Sequence, residues 1–289
     1  MRIGTTLHVK GPMEGLLKQV HRAAEAGFES MNLSLFTMHR GNNPFYGDDW
    51  REAAETIRNE AEKCGIVFSQ SHVPYRSLSV KHDIEMAKAP GGLEFFSNIS
   101  LRSVEISKIV GCSWAVIHPM DDPNAGFGDH EAQIEHNLRI FDREIEAAHK
   151  FNVGLAFENL YDLPKRRRFG VQAAELKKFI DRVNSPLVGA CWDLGHANMG
   201  TSDQVESILL LGEKITALHV HDNNGKDDLH MIPFMGNIQW ERVMHAMYEG
   251  GCKADLMLEL DPTNMPECLL LEEARMAHRA CEHLVSLYK

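Results

Sequence analysis

Short, almost wholly apolar runs alternate along this chain with longer segments whose apolar residues fall three and four positions apart. The apolar runs lie at 2–7, 30–35, 66–71, 114–118, 153–158, 187–192, 215–220 and 256–260. They are too short for core helices and too apolar for strands with one wet face, so they read as strands buried on both sides. The periodic segments lie at 15–26, 51–64, 101–110, 134–151, 173–183, 204–211, 240–249 and 269–287, and they read as amphipathic helices. In the first of them Leu16, Leu17, Val20, Ala23 and Ala24 form the apolar stripe. Glycines after several helices, such as Gly65 and Gly111, suit left-handed caps before the next strand.

Eight strand–helix units in alternation predict an α/β fold, a single (β/α)8 TIM barrel spanning residues 1–289 as one domain. No Pro/Ser-rich linker or low-complexity stretch divides the chain. An open doubly wound sheet also has this alternation, but it would gather ligands at one switch point. Here polar residues stand at nearly every strand end. Two loops are long: 36–50, whose aromatic residues suit a lid or a subunit contact, and 76–99, to which no role is assigned.

The strand ends carry the chemistry. His72, His118, Glu158, Asp193, His219 and Glu259 each close or follow an apolar run, at a spacing that one strand plus one helix would take up. A barrel places all six at the C-terminal mouth of its strands. A carboxylate ending an apolar strand is expensive to bury unless it is paired or bound to a cation. Glu158, Asp193, His219 and Glu259 together offer three negative charges and one neutral nitrogen, which suits one divalent ion such as Mn²⁺, Mg²⁺, Co²⁺ or Zn²⁺. A second tier surrounds them: His196 three residues after Asp193, His221 and Asp222 after His219, then Asp228 and His230. Of the 16 histidines several must be bystanders, and His8, His39, His130 and His149 are read as such.

Composition narrows the classes. The balance of 30 basic against 41 acidic residues leaves a net charge of −11, which disfavours extended contact with nucleic-acid phosphate. The one dense basic run, Lys165–Arg168, follows Glu158 and reads first as a solvated loop or subunit contact, second as an anion clamp through Arg168. Trp50, Tyr75 and Trp192 could stack on a ligand ring; Trp114 and Phe157 read as barrel core. No 18-residue apolar run is present, so no membrane partner is expected. Six cysteines without CxxC spacing and a strand-like N-terminus favour the cytoplasm.

The motifs FENL, CWDLGHAN, LHVHDNNG, DLHMIPFMGNIQW and LMLEL, in this order, resemble the xylose-isomerase-like barrel superfamily over essentially the whole chain. That superfamily includes sugar and sugar-phosphate isomerases and epimerases, inosose-type dehydratases and endonuclease IV. The resemblance to its ketose 3-epimerases implies one metal held by Glu158, Asp193, His219 and Glu259. It also implies that Glu158 and Glu259 exchange protons with a sugar carbon through an enediolate, while His196 contacts substrate oxygens. The chain departs from that branch at Gly225, where an arginine is expected six residues after the ligand histidine; this argues against the pose of a free ketohexose. The resemblance to endonuclease IV implies further zinc ions, with His72, His118, Glu158, Asp193, His196, His219, Asp228, His230 and Glu259 as ligands. The expectation is therefore a metal-dependent sugar isomerase or epimerase, with His72, His118, His196, Asp228 and His230 binding substrate or a weaker second ion. The competing expectations are a multinuclear zinc hydrolase acting on abasic DNA, an inosose-type dehydratase, and a non-catalytic sugar-binding barrel. Pairing into a homo-oligomer through the face carrying the strand-to-helix loops is compatible with such a barrel.

Overall fold

A computed structural model describes residues 1–40, 43–74, 85, 88–122, 124–125, 128–163, 166–200, 203–260 and 265–289. Its strands are β1 (Ile3–His8), β2 (Ser30–Ser34), β3 (Val67–His72), β4 (Trp114–Ile117), β5 (Gly154–Glu158), β6 (Val188–Asp193), β7 (Ile215–His219) and β8 (Leu256–Leu258). They form one parallel sheet in the order β7-β6-β5-β4-β3-β2-β1-β8. A parallel bridge between Val220 and Leu258 joins the two ends, and the Val220 and Glu259 amides donate to Met257 and Val220 carbonyls, so the sheet closes into a (β/α)8 barrel. Around it lie α1 (Met13–Ala26), α2 (Trp50–Lys63), α3 (Gly92–Val110), α4 (His130–Ile140), α5 (Asp142–Phe151), α6 (Ala173–Val183), α7 (Leu194–Met199), α8 (Gln204–Leu211), α9 (Trp240–Glu249) and α10 (Leu270–Leu287).

The two-residue period of a strand sorts the buried side chains into two cores. Ala115, Ile117, Leu155, Phe157, Trp192 and Leu218 point outward into the shell between sheet and helices. Val116, Ala156, Cys191 and Ala217 point inward and form a separate interior layer against Trp114. Small residues dominate that layer because the barrel is narrow and the indole already fills its lower end. Gly154 shows how tight the fit is: a Cβ there would lie 2.2 Å from the Trp114 ring. Two residues further along the same strands the inward positions become His118, Glu158, Asp193 and His219. The interior apolar layer is thus the floor of the polar mouth.

Four features differ from the sequence expectation. The helix expected over 134–151 is two helices, broken at Phe141 (φ −104°, ψ 10°), whose ring packs edge-on to Phe157 at 5.2 Å. The helix expected from 101 begins at Gly92, which shortens the loop before it. A six-residue helix, α7, follows β6 directly, started by the Asp193 carboxylate accepting from the His196 amide at 2.6 Å. The last strand ends at Leu258. Four helices end on a left-handed residue, glycine after α1 and α3 but Asn152 and Asn184 after α5 and α6. Tyr75 and Lys165 lie outside the described residues.

Candidate metal and substrate site

Glu158 ends β5, and every ladder bond that holds β5 between β4 and β6 fixes its position. One carboxylate oxygen, Oε1, lies 3.0 Å from His219 Nδ1. The other, Oε2, lies 3.1 Å from His72 Nε2 and 2.9 Å from His118 Nε2. His219 Nδ1 is also 3.2 Å from Glu259 Oε2 and 3.8 Å from Asp193 Oδ2. The structure therefore brings Glu158, Asp193, His219 and Glu259 together, with one ligand atom of each inside a 4.8 Å cluster. His72, His118 and Glu158 form a second such cluster that shares Glu158.

A third group stands on the other side of Asp193. Asp228 Oδ2 lies 3.4 Å from both His196 Nε2 and His230 Nε2. The His221 ring stacks on His230 at 4.0 Å and reaches Asp193 through Nε2 at 3.1 Å. Gly195 makes room for it, since a Cβ there would meet the His221 ring at 1.9 Å. Asp222, next in sequence, is a structural hub rather than part of the mouth. Its carboxylate accepts from the amides of Asn223, Phe234 and Ile238 and from the Trp240 indole, and so pins the loop that carries Asp228 and His230.

The histidines are oriented from behind. His72, His196 and His230 each place Nδ1 against a backbone carbonyl, of Val73 (2.9 Å), Asn159 (2.8 Å) and Glu259 (2.7 Å). A carbonyl only accepts, so Nδ1 of each ring carries a proton and Nε2 is the atom turned inward. Ligating histidines are commonly held in this way. Burial alone would push Glu158 up, but the His219 and His118 rings hold it well below the usual carboxylate range. Asp193 is lowered in the same fashion, burial being outweighed by His196 and His221. His118 moves the other way: burial pulls it down to about 4 despite Glu158, leaving a neutral imidazole. Burial is outweighed at His196 by Asp193, Asp228 and Glu158, and at His230 by Asp228, Glu259 and Asp193, and both rise to about 10. His219 is likewise raised, against burial, by the thiol of Cys191 and by Glu259 and Glu158. Without a cation, these carboxylates are neutralised by protons on histidines. A divalent ion would supply the same charge, so the donor set fits one.

Above the cluster opens a cavity of about 480 Å³, lined among others by His8, Phe36, His72, Tyr161, Arg168 and Glu259, a size suited to a small ligand. Phe36 covers His72 and His118, with ring centroids 5.4 and 6.2 Å away. The expected lid loop thus places its first aromatic residue over the site. Trp50 is not brought there: it is buried at the start of α2 beneath the Arg51 guanidinium, 4.1 Å from its ring. Trp192 is core. Of the basic run, Arg166 pairs with Asp121 at 2.8 Å and Arg167 with Glu175 at 2.7 Å, while Arg168 lines the cavity and is only 8% exposed. The sequence reading set His8 aside as a bystander, yet it ends β1 as His72 ends β3 and lines the cavity, its Nε2 against the Leu260 carbonyl at 2.9 Å. The strand-end rule applied evenly would have found it. His221, a second-tier candidate in the sequence, is reached by continuing the inward two-residue period past His219.

A family profile described as a xylose isomerase-like TIM barrel matches residues 20–284. An uncharacterized protein of Sinorhizobium fredii is 26% identical over 270 residues, covering 85% of this chain and 81% of that protein. An uncharacterized protein of Methanocaldococcus jannaschii is 27% identical over 146 residues, half of this chain and 49% of that protein's length. A solved D-tagatose 3-epimerase-like protein superposes with a TM-score of 0.76 at 18% identity, over 100% of this chain and 98% of the other. A D-psicose 3-epimerase solved in the presence of D-fructose superposes with a TM-score of 0.71 at 16% identity, over the whole of both chains. At these identities the two structures are alike in fold.

Proposed function

Because this chain belongs to the xylose isomerase-like TIM barrel family, we propose that it is a divalent-metal-dependent sugar isomerase or epimerase acting as one domain over residues 1–289. The observation that carries this reading is the convergence of Glu158, Asp193, His219 and Glu259, two of them glutamates on strand ends separated by β6 and β7. These four would hold the ion, which when bound supplies polarisation of a sugar carbonyl and its neighbouring hydroxyl. Glu158 and Glu259 approach His219 Nδ1 from two strands, so a sugar seated between them meets a carboxylate on either side. One glutamate removes the proton from the carbon beside the carbonyl and the other returns a proton; return to the opposite face epimerises, and return to the adjacent carbon isomerises. His196 and His230, oriented by backbone carbonyls, face the cavity as donors to sugar oxygens, and Phe36 excludes water.

The test is hydrogen–deuterium exchange at the sugar α-carbon in D₂O with the metal-loaded protein. Glu158→Gln and Glu259→Gln should each lower exchange at least about 100-fold, the usual scale of general acid–base catalysis. Exchange that survives in both variants would sink the two-base scheme. The cluster of His72, His118 and Glu158, and the pairing of Asp228 with His196 and His230, support a second reading, a multinuclear zinc hydrolase of the endonuclease IV kind. Elemental analysis separates the two: one ion per chain supports the sugar enzyme, three the hydrolase. The net charge of −11 weighs against the latter.

A further inference from the structure

On the outer wall of the barrel, His21, Glu60 and Cys64 bring three different donors together, with one ligand atom of each inside a 4.8 Å cluster. Glu60 and Cys64 are one helical turn apart and share a face of α2. His21 reaches them from α1, which packs beside α2. Its Nε2 lies 2.7 Å from Glu60 Oε1, while Lys63 holds the other oxygen, Oε2, at 2.9 Å. Lys63 and His21 keep the Glu60 carboxyl below its ordinary value, so it is ionised at neutral pH. The Cys64 backbone is fixed at the end of α2, its amide donating to the Glu60 and Ala61 carbonyls. Cys112, Cys191, Cys252 and Cys281 are buried, whereas Cys64 is only half-buried and open to a solvent ion. α2 runs from the mouth back to the base, and Cys64 stands just before Val67 opens β3. The three donors therefore lie toward the end of the barrel opposite Glu158, the end at which side chains serve stability rather than turnover.

We propose that His21, Glu60 and Cys64 form a second divalent-cation site, for Zn²⁺ or an ion of like softness, that braces α1 against α2. A thiolate, an imidazole and a carboxylate suit Zn²⁺ or Co²⁺ and disfavour Mg²⁺ and Mn²⁺. The candidate ligand groups described at the mouth contain no thiolate. Three protein ligands leave the fourth tetrahedral position to water. With bonds of about 2.0–2.2 Å, the imidazole nitrogen and the carboxylate oxygen would stand roughly 3.4 Å apart, so the ion replaces the proton between them and parts the pair. The His21 side chain, 54% exposed, has room to give. An ion held by both helices stabilises the folded chain, because the unfolded chain does not keep the three groups together. The site is independent of what the mouth binds.

The test titrates Co²⁺ into the full chain, reduced and treated with chelator. A thiolate bound to Co²⁺ gives a charge-transfer band in the near ultraviolet that nitrogen and oxygen ligands do not. Wild type should show that band, saturating at a single thiolate-bound ion per chain, and Zn²⁺ should bleach it. Cys64→Ser should abolish it. His21→Gln and Glu60→Gln should each weaken the affinity at least about tenfold, since changes to groups merely behind a ligand already cost about 10- to 100-fold. Asp193→Asn, at the mouth, should leave the band unchanged. No band in wild type, a band that outlives Cys64→Ser, or one indifferent to both His21→Gln and Glu60→Gln overturns the site; in the last case a lone thiol binds the ion. A band lost in Asp193→Asn but kept in Cys64→Ser puts the thiolate at the mouth and overturns it as well. Thermal melts read the brace: Zn²⁺ at 100 times its Kd should raise the Tm of wild type by roughly 5 °C more than that of Cys64→Ser. Equal shifts overturn the brace. Elemental counts made on Cys64→Ser report the mouth alone, so failure of this site and failure of the sugar reading are told apart.

Discussion

The protonation of single histidines decides how this site meets a metal. His219 is raised above its ordinary value by Cys191, Glu259 and Glu158, against the effect of burial, so at neutral pH its ring carries a proton that a cation must displace. Metal uptake should therefore release protons, and affinity should weaken as pH falls. Titrating Mn²⁺ into chelator-treated protein in two buffers of different ionisation enthalpy measures the release; no buffer dependence would count against His219 as a ligand. His196 and His230 give a stability prediction of definite sign. Both are raised to about 10 in the folded state. Their contribution is complete below the unfolded value of about 6.5 and is lost as pH rises through about 10. Metal-free protein should thus melt at progressively lower temperature between those limits, and Asp228→Asn, which removes a shared partner, should flatten the slope. Which residues reach the site was partly legible. A carboxylate or histidine closing an apolar strand announces itself, as Glu158 and His72 do. Arg168 was legible only as a second reading, because four basic residues in a row read first as a solvated loop; in the structure Arg166 and Arg167 pair with Asp121 and Glu175 while Arg168 lines the cavity.

At the scale of elements, the strands were legible because both of their faces are buried. β5 and β6 have no exposed residue, and a parallel strand of that kind appears in sequence as an unbroken apolar run. The break at Phe141 was not legible, since an apolar residue there fits the helical period, and tertiary packing against Phe157 sets the bend. α7 escaped notice because six residues show no period; a carboxylate cap from Asp193 is what starts it. The contact between β4 and β5 makes a test of the barrel interior. Gly154→Ala would force a methyl group against Trp114 and should destabilise by roughly 1–3 kcal/mol, the scale of overpacking in a close-packed core. Denaturant midpoints would measure it. Combining it with Trp114→Leu should cost less than the sum of the two single changes, whereas strict additivity would deny the contact.

For the whole molecule, a cluster of three carboxylates at the centre of a barrel ties stability to the ion. Mn²⁺ at 100 times its Kd should stabilise chelator-treated protein by about 2.7 kcal/mol, a rise in Tm of roughly 5 °C for a chain of this size. Calorimetry with and without chelator would show it; an unchanged Tm would argue that the four ligand groups are held by protons alone. Among the described residues no helix is long and apolar enough to cross a membrane. The acidic exterior and the buried arginine of the cavity are two different fields. The first is weakened by salt within a Debye length of about 10 Å, and the second, shielded from water, far less so.

The interior layer of Val116, Ala156, Cys191 and Ala217, stopped below by Trp114, has one more implication. It makes the barrel a blind vessel. Whatever reaches Glu158 leaves by the mouth through which it came, past Phe36 and Arg168. Incoming and outgoing sugars therefore cannot pass each other, turnover waits on departure, and accumulated product should inhibit in strict competition with substrate. The speed of such an enzyme would be set at its rim, by the loops after β1, β2 and β5, and not by the carboxylates at its base.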